Sequence, residues 1–301
     1  MSPPLTPPPD PNPKTPKLRC PPGSVDCQIH LFGPASKYPF DPGSKYVSED
    51  MLPEESIRIQ DILGLDHAVI VSGGGYGMDT RHLCDTLRRF PDRFRGVALL
   101  PAETAMAEME RLHGLGVRGT RFVSPRHGTH LPQISERVGA MAAELGWVTQ
   151  FYPGQGELES FAERLLALPG RIVLDHFAAI PAAGGTDQPA FRTLLRMLDT
   201  GRVWVRISGP MRCTKEDFPY PSVTPIAQAL VAHAPERLVW GSDWPHVNMV
   251  GRVMPNDGDL LDLMLEWVPD EAVRDRILSE QARALYDFPS PKGADRPQSL
   301  K

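Results

Sequence analysis

The chain has 301 residues, 41% hydrophobic and 23% charged, with a formal net charge of −5. That is enough to bury one large α/β core or two smaller ones, and the mild acidity offers no basic footprint for nucleic acid. No apolar run reaches the ~20 residues of a bilayer span, and the N-terminus lacks the apolar core of a signal peptide. Cys20, Cys27, Cys84 and Cys213 form no C-x-x-C pair. A cytoplasmic protein with reduced thiols, binding neither nucleic acid nor membrane, is expected.

Ten of the first 22 residues are proline. Such a stretch favours extended polyproline conformations and cannot offset its ordering entropy by burial, so residues 1–22 are expected to be a disordered tail. A single domain over 23–289 and a second unstructured tail over 290–301 complete the expected layout. The first predicted strand, 25–32, contains Val25-Asp26-Cys27-Gln28-Ile29-His30, in which alternation puts Gln28 and His30 on one face. Strands follow at 68–72, 95–100, 117–123, 147–152, 172–177, 203–208 and 238–242. Between them lie helical stretches such as 104–114, 133–145 and 158–168, each with one apolar face, and glycine-bearing turns at 63–66, 114–116 and 168–170 end helices before the next strand.

Alternating strands and helices argue for β-α units and a parallel sheet, and eight strands are the number that closes a (β/α)8 barrel. A doubly wound sheet uses the same units but predicts a glycine-rich dinucleotide turn after the first strand. Leu31-Phe32-Gly33-Pro34 is not one. Ser72-Gly73-Gly74-Gly75 after the second strand reads as a loop that lets the backbone approach a ligand.

In a barrel the active site forms at the C-terminal strand ends. The polar residues there are Gln28 and His30, Ser72, Arg121 and Arg126, Tyr152, His176, Arg212, and Asp243 with His246 and Asn248 in the run Gly-Ser-Asp-Trp-Pro-His-Val-Asn at 241–248. Three guanidinium groups converging on one rim would repel unless an anion paired with them, and their planar fork matches a carboxylate. A small anionic substrate is therefore expected.

The pieces Asp26-Cys27-Gln28-Ile29-His30-Leu31-Phe32-Gly33-Pro34, Gly116 to Phe122, Leu174-Asp175-His176 and Val239 to His246 resemble the amidohydrolase-related lactonases: 2-pyrone-4,6-dicarboxylate lactonase and its relatives galactarolactone isomerase and sulfomuconolactone hydrolase. The resemblance spans roughly residues 24 to 288. It implies a single-domain TIM barrel of the amidohydrolase superfamily that opens an anionic lactone, without cofactor and in many members without metal. Carried onto this chain, it makes Asp243 the base for water and His30 and His176 carbonyl-polarising groups. Tyr46, Ser72, Arg121, Arg126, Tyr152 and Arg212 become substrate contacts. Two features depart from the pattern. Gln28 stands where a first histidine is expected, as in galactarolactone isomerase, and Phe122-Val123-Ser124-Pro125 is one residue short.

A binuclear metal centre lacks ligands here, because strand one offers Gln28, strand four Arg121 and strand five Tyr152. His30, His176 and Asp243 remain as the set a single divalent ion would use. Gln28 is expected to aim its amide at the substrate carbonyl instead. Water attack on a carboxylated lactone is thus the expected reaction. The alternatives are intramolecular acyl migration between lactones, a metal-dependent decarboxylation, and a non-catalytic acid-binding barrel. Composition and motif leave the oligomeric state open.

Overall fold

The computed structural model describes residues 3–291. Eight parallel strands follow one another around a barrel: β1 Val25–Ile29, β2 His67–Val71, β3 Phe94–Leu99, β4 Val117–Val123, β5 Val148–Tyr152, β6 Arg171–Leu174, β7 Val203–Ser208 and β8 Leu238–Gly241. Eight helices form the outer ring: α1 Pro53–Leu63, α2 Arg81–Arg89, α3 Met106–Gly114, α4 Glu136–Glu144, α5 Leu158–Ala167, α6 Pro189–Asp199, α7 Thr224–His233 and α8 Asp257–Trp267. The single-domain barrel expected from the strand count is what forms. None of the described helices is long and apolar enough to cross a membrane.

Local chemistry sets the element ends. Pro53 opens α1, where its missing N–H costs nothing, and Gly64 closes it in the left-handed region at φ 77°. Ser135 caps α4, its hydroxyl accepting from Val138 N–H. Apolar residues from the helices and the outward strand faces, such as Leu87, Phe94, Leu112, Trp147 and Leu194, make the main core.

β1 and β8 close the barrel. Their backbones exchange Asp243 N–H to Gln28 O (2.9 Å) and His30 N–H to Trp244 O (2.8 Å). The buried carboxylate of Asp26 accepts from the backbone N–H groups of both Gln28 (3.0 Å) and Ser242 (2.9 Å), stitching the two strands below those contacts. Burial raises the Asp26 carboxyl to about 7.

The barrel interior is polar. Arg206, fully buried on β7, donates to Asp175 Oδ1 (2.5 Å), Gln28 Oε1, Gln150 Oε1 (3.2 Å) and the Tyr286 hydroxyl (2.5 Å) from the last helical stretch, 281–286. This cluster is a floor on which the mouth of the barrel is built.

The expected disordered tail over 1–22 is not what the described residues 3–22 form. Leu18 and Thr6 are buried, Thr6 N–H donates to Val47 O (2.8 Å) and Val47 N–H to Pro4 O (3.0 Å). Further along, Lys14 pairs with Asp259 (2.5 Å) and Leu18 N–H donates to Asp262 (2.9 Å) on α8. The prolines make the segment stiff and extended, and its few apolar and hydroxyl side chains supply the anchors that the composition concealed. Of the second expected tail, residues 292–301 lie outside the described residues.

Candidate active site

The loops after the strands enclose a cavity of about 330 Å³ at the C-terminal mouth, lined by His30, Tyr46, Arg121, Tyr152, His176, Arg212 and Asp243 among others. Its volume suits a small ring with polar substituents. The β1–β8 backbone contacts bring Asp243 beside His30. Left-handed backbone does the rest: Asp243 has φ 67°, and His176, Phe177, Ala178 and Ala179 form a left-handed turn with φ between 48° and 54°. On a continuing strand Asp175 and His176 would point to opposite faces. The turn sends both into the barrel, Asp175 toward Arg206 and His176 toward Asp243, and such strain by non-glycine residues costs on the order of 1–3 kcal/mol each. Gly209, at φ 52°, makes room, since a Cβ there would lie 2.8 Å from His176 Nδ1.

Asp243 is 1% exposed. Its Oδ2 accepts from Arg212 Nε (3.0 Å) and Nη2 (2.8 Å). Its Oδ1 faces His30 Nε2 at 3.5 Å and His176 Nε2 at 3.6 Å. Burial alone would raise this carboxyl, but the charge of Arg212 and the two imidazoles outweigh it and hold Asp243 well below the usual carboxylate range. His30 donates from Nδ1 to Val71 O (2.7 Å), so in the neutral ring Nε2 carries the lone pair. His176 Nδ1 lies 3.0 Å from Ser208 Oγ, and burial pushes this imidazole down to about 4, against the pull of Asp243 and Asp175.

Tyr46 and Tyr152 are phenols raised to about 12 by burial. The Tyr46 hydroxyl accepts from Gly75 N–H (3.1 Å), and its own proton has no acceptor among the described residues. Tyr152 stacks on His127 at 3.9 Å and meets His176 edge-on at 5.0 Å.

The structure corrects the arginine argument. Each arginine already has an acidic partner: Arg121 with Asp175 (Nη2–Oδ2 2.8 Å), Arg126 with Glu157 (2.8 Å) and Arg212 with Asp243. Mutual repulsion therefore does not by itself demand an anion. All three still line the cavity, as does Asn248.

Three expected contacts are not in the cavity lining. Ser72, the residue after β2, offers its carbonyl to Arg121 Nη1 (3.2 Å). His246 is fully buried beside Asp257 (Nε2–Oδ1 3.0 Å), where its own left-handed backbone at φ 60° directs it. Gln28 sits beneath the cavity, with Nε2 3.3 Å from His176 Nε2. Its expected position against a substrate carbonyl is taken by the His176 ring. The lining also holds Lys45, His127 and His130, which the strand-end reading missed. Lys45 directly precedes Tyr46, and its Nζ donates to Arg126 O (2.9 Å).

The fallback metal set, His30, His176 and Asp243, does not fit a divalent cation. Among the described residues no group of three or more His, Cys, Asp or Glu side chains is arranged to hold one. Two of the three side chains are engaged elsewhere: the Gln28 amide nitrogen lies 3.3 Å from His176 Nε2, and the Arg212 guanidinium covers Asp243 Oδ2.

An eight-stranded parallel barrel with a buried carboxylate, two imidazoles and guanidinium groups at its C-terminal mouth defines a barrel enzyme of the hydrolase type. The chain belongs to the Amidohydrolase family, whose model matches residues 25–288. It is 33% identical to a 4-sulfomuconolactone hydrolase of Hydrogenophaga intermedia, over 88% of this chain and 89% of that protein. It is likewise 33% identical to a D-galactarolactone isomerase of Agrobacterium fabrum, over 92% and 93% of the two chains. The apo crystal structure of Agrobacterium tumefaciens ATU3138 superposes with a TM-score of 0.81 at 30% identity, covering 92% of this chain and 99% of that one.

Proposed function

We propose that the protein is a lactone hydrolase that opens a small carboxylated lactone by water attack and without a metal. The observation that carries this reading is the setting of Asp243. It is an ionised carboxylate at the cavity floor, one oxygen locked by Arg212 and the other facing His30 Nε2 at 3.5 Å. Asp243 Oδ1 and the imine nitrogen of His30 present two acceptors to one point. A water held there has its protons occupied and its lone pair free for the acyl carbon. As the carbon–oxygen bond forms, the water proton passes into the Asp243–His30 pair, where the imidazole offsets the weak basicity of a carboxylate held so low.

The carbonyl oxygen gains charge as water adds. The Tyr46 and Tyr152 hydroxyls and the Arg212 Nη1 group, none of which has an acceptor among the described residues, belong to side chains that line the cavity and are the donors proposed to meet that oxygen. Collapse of the adduct breaks the ring ester bond, and the departing ring oxygen takes up the proton first removed from water. Lys45 and Arg126 at the outer rim, with Arg121 deeper, suit a carboxylate substituent on the ring.

The relatives support lactone chemistry but divide between hydrolysis and isomerisation. In the second reading a hydroxyl of the substrate takes the place of water at the same base. Ring opening of a panel of aldarolactones, muconolactones and pyrone carboxylates in ¹⁸O-labelled water separates the two. Hydrolysis places one solvent oxygen in the new carboxylate, and acyl migration places none. Asp243→Asn should abolish turnover while sparing ligand binding, and substantial remaining activity would remove Asp243 from the chemistry.

A further inference from the structure

Gln28 is fully buried, outside the cavity, and yet bonded into the site on both sides of its amide. Its Oε1 accepts from Arg206 Nη1 and from Gln150 Nε2 (3.2 Å). A guanidinium has no acceptor to offer, so this oxygen cannot be exchanged for the amide nitrogen. The Gln150 amide is fixed in the same way, because its Nε2 also donates to Asp175 Oδ2 (3.1 Å) and its Oε1 accepts from Arg206 Nη2 (3.2 Å). The Gln28 N–H group is therefore left facing His176 Nε2 at 3.3 Å. A ring nitrogen that accepts there cannot carry a proton, so the proton of the neutral ring must sit on Nδ1, which lies 3.0 Å from Ser208 Oγ.

We propose that Gln28 is a positioning residue that holds His176 as the neutral Nδ1–H tautomer and thereby keeps it out of the proton path. His30 and His176 lie almost equally far from Asp243 Oδ1, at 3.5 Å and 3.6 Å. Distance does not choose between them, but hydrogen bonding does. The His176 Nε2 lone pair is occupied by an amide N–H, whereas the His30 Nε2 lone pair is open toward the cavity because its Nδ1 proton is spent on Val71 O. Arg206, anchored by Asp175 and Tyr286, holds the amide in its orientation. His176 is then a wall of the cavity that packs against Tyr152, and the water proton has one imidazole to go to.

This inference rests on the proposed role of Asp243 for its catalytic consequence but not for the tautomer itself. The test uses the full-length protein labelled with ¹⁵N-histidine, with the His176 signals assigned by their loss in His176→Gln. Long-range proton–nitrogen correlation of the ligand-free protein at pH 7 should show His176 protonated on Nδ1 and bare on Nε2. Gln28→Glu replaces the N–H donor by an acceptor of the same shape and should move a proton onto Nε2. Gln28→Met removes the donor at similar volume and should leave a mixture of tautomers. With a lactone that the panel shows to be turned over, both variants should lose kcat by about tenfold or more, with KM changing far less. A protonated Nε2 in the parent protein, or an unchanged His176 pattern in Gln28→Glu, overturns the proposal. If the tautomers move as stated while kcat holds, the tautomer assignment stands and the claim that it directs the proton path is overturned.

Discussion

Replacing Arg212 by Met removes the charge opposite Asp243 while keeping an unbranched apolar stem, and the consequence can be worked from the geometry. Asp243 is 1% exposed and receives two hydrogen bonds from Arg212, at 2.8 and 3.0 Å. Taking one partner from such a buried pair costs about 3–5 kcal/mol, because the remaining charge stays desolvated. The penalty falls on the ionised form alone, so it moves the Asp243 carboxyl upward. Only His30 and His176 then remain to offset burial. The variant should titrate Asp243 at a higher pH than the parent does. Since the base must be ionised, the kcat of Arg212→Met should begin to fall at a higher pH than that of the parent as the pH is lowered from 8 to 4. In the parent the depressed carboxyl contributes stability above the ordinary carboxylate range, lost only as pH falls through its low folded value. In the variant the raised carboxyl contributes less of this, so the parent should lose more stability from this group than the variant as the pH falls through and below the ordinary carboxylate range. Melting curves of both proteins across this range, beside pH–rate profiles at saturating lactone, make the measurement. Parallel profiles for parent and variant, in rate and in melting, would refute the account of Asp243.

Gly209→Ala should lower kcat by about tenfold or more, with only a modest fall in Tm. Its Cβ would lie 2.8 Å from His176 Nδ1 and 3.3 Å from Asp243 Oδ2, while the left-handed backbone itself costs about 1–2 kcal/mol. Steady-state kinetics beside thermal melting checks it. Arg206→Met should destabilise the fold by about 3 kcal/mol or more, since it leaves Asp175 only its Arg121 partner and takes a buried donor from Gln28 Oε1, Gln150 Oε1 and the Tyr286 hydroxyl at once, and urea titration gives the figure. Deleting residues 1–9 should raise KM several-fold and speed amide exchange at Val47 and Asn248. The segment accepts from both of these N–H groups, through Pro4 O (3.0 Å) and Thr6 Oγ1 (3.3 Å), and so ties down the loops that carry Tyr46 and Asn248. Unchanged exchange at the two amides would show that the segment does not hold those loops.

The eight strands were legible because each is a short β-branched run that must be buried on both faces, and His30, Asp243 and Arg212 were legible because a barrel puts strand ends at one mouth. The pairing of the arginines was not. Asp175 lies 54 positions from Arg121 and 31 from Arg206, and nothing local in Val-Leu-Asp-His-Phe-Ala-Ala announces a left-handed turn that brings Asp175 and His176 inward together. The N-terminal segment misled for a different reason. Proline content measures stiffness and lack of apolar surface, but a stiff extended chain can be held by a few anchors, and Thr6 and Leu18 are such anchors.

Gln28 shows a limit of strand alternation as a guide to function. The period of two correctly puts Gln28 and His30 on the inner face, but it carries no information about depth. Two residues along a strand advance about 6.6 Å, which in this barrel separates a side chain in the cavity from one in the layer below. His30 therefore reaches Asp243 from the cavity wall, while Gln28 meets Arg206, Gln150 and the underside of His176. A residue in that lower layer does not touch the reacting atoms, and it acts only by what it imposes on a residue that lines the cavity. The presence of a buried arginine in the middle of β7, Val-Trp-Val-Arg-Ile-Ser, is the one sequence signal that such a layer exists. A charge that must be buried needs acceptors at its own level, and those supplied there by β1, by β5 and by the residue directly after β6 are Gln28, Gln150 and Asp175.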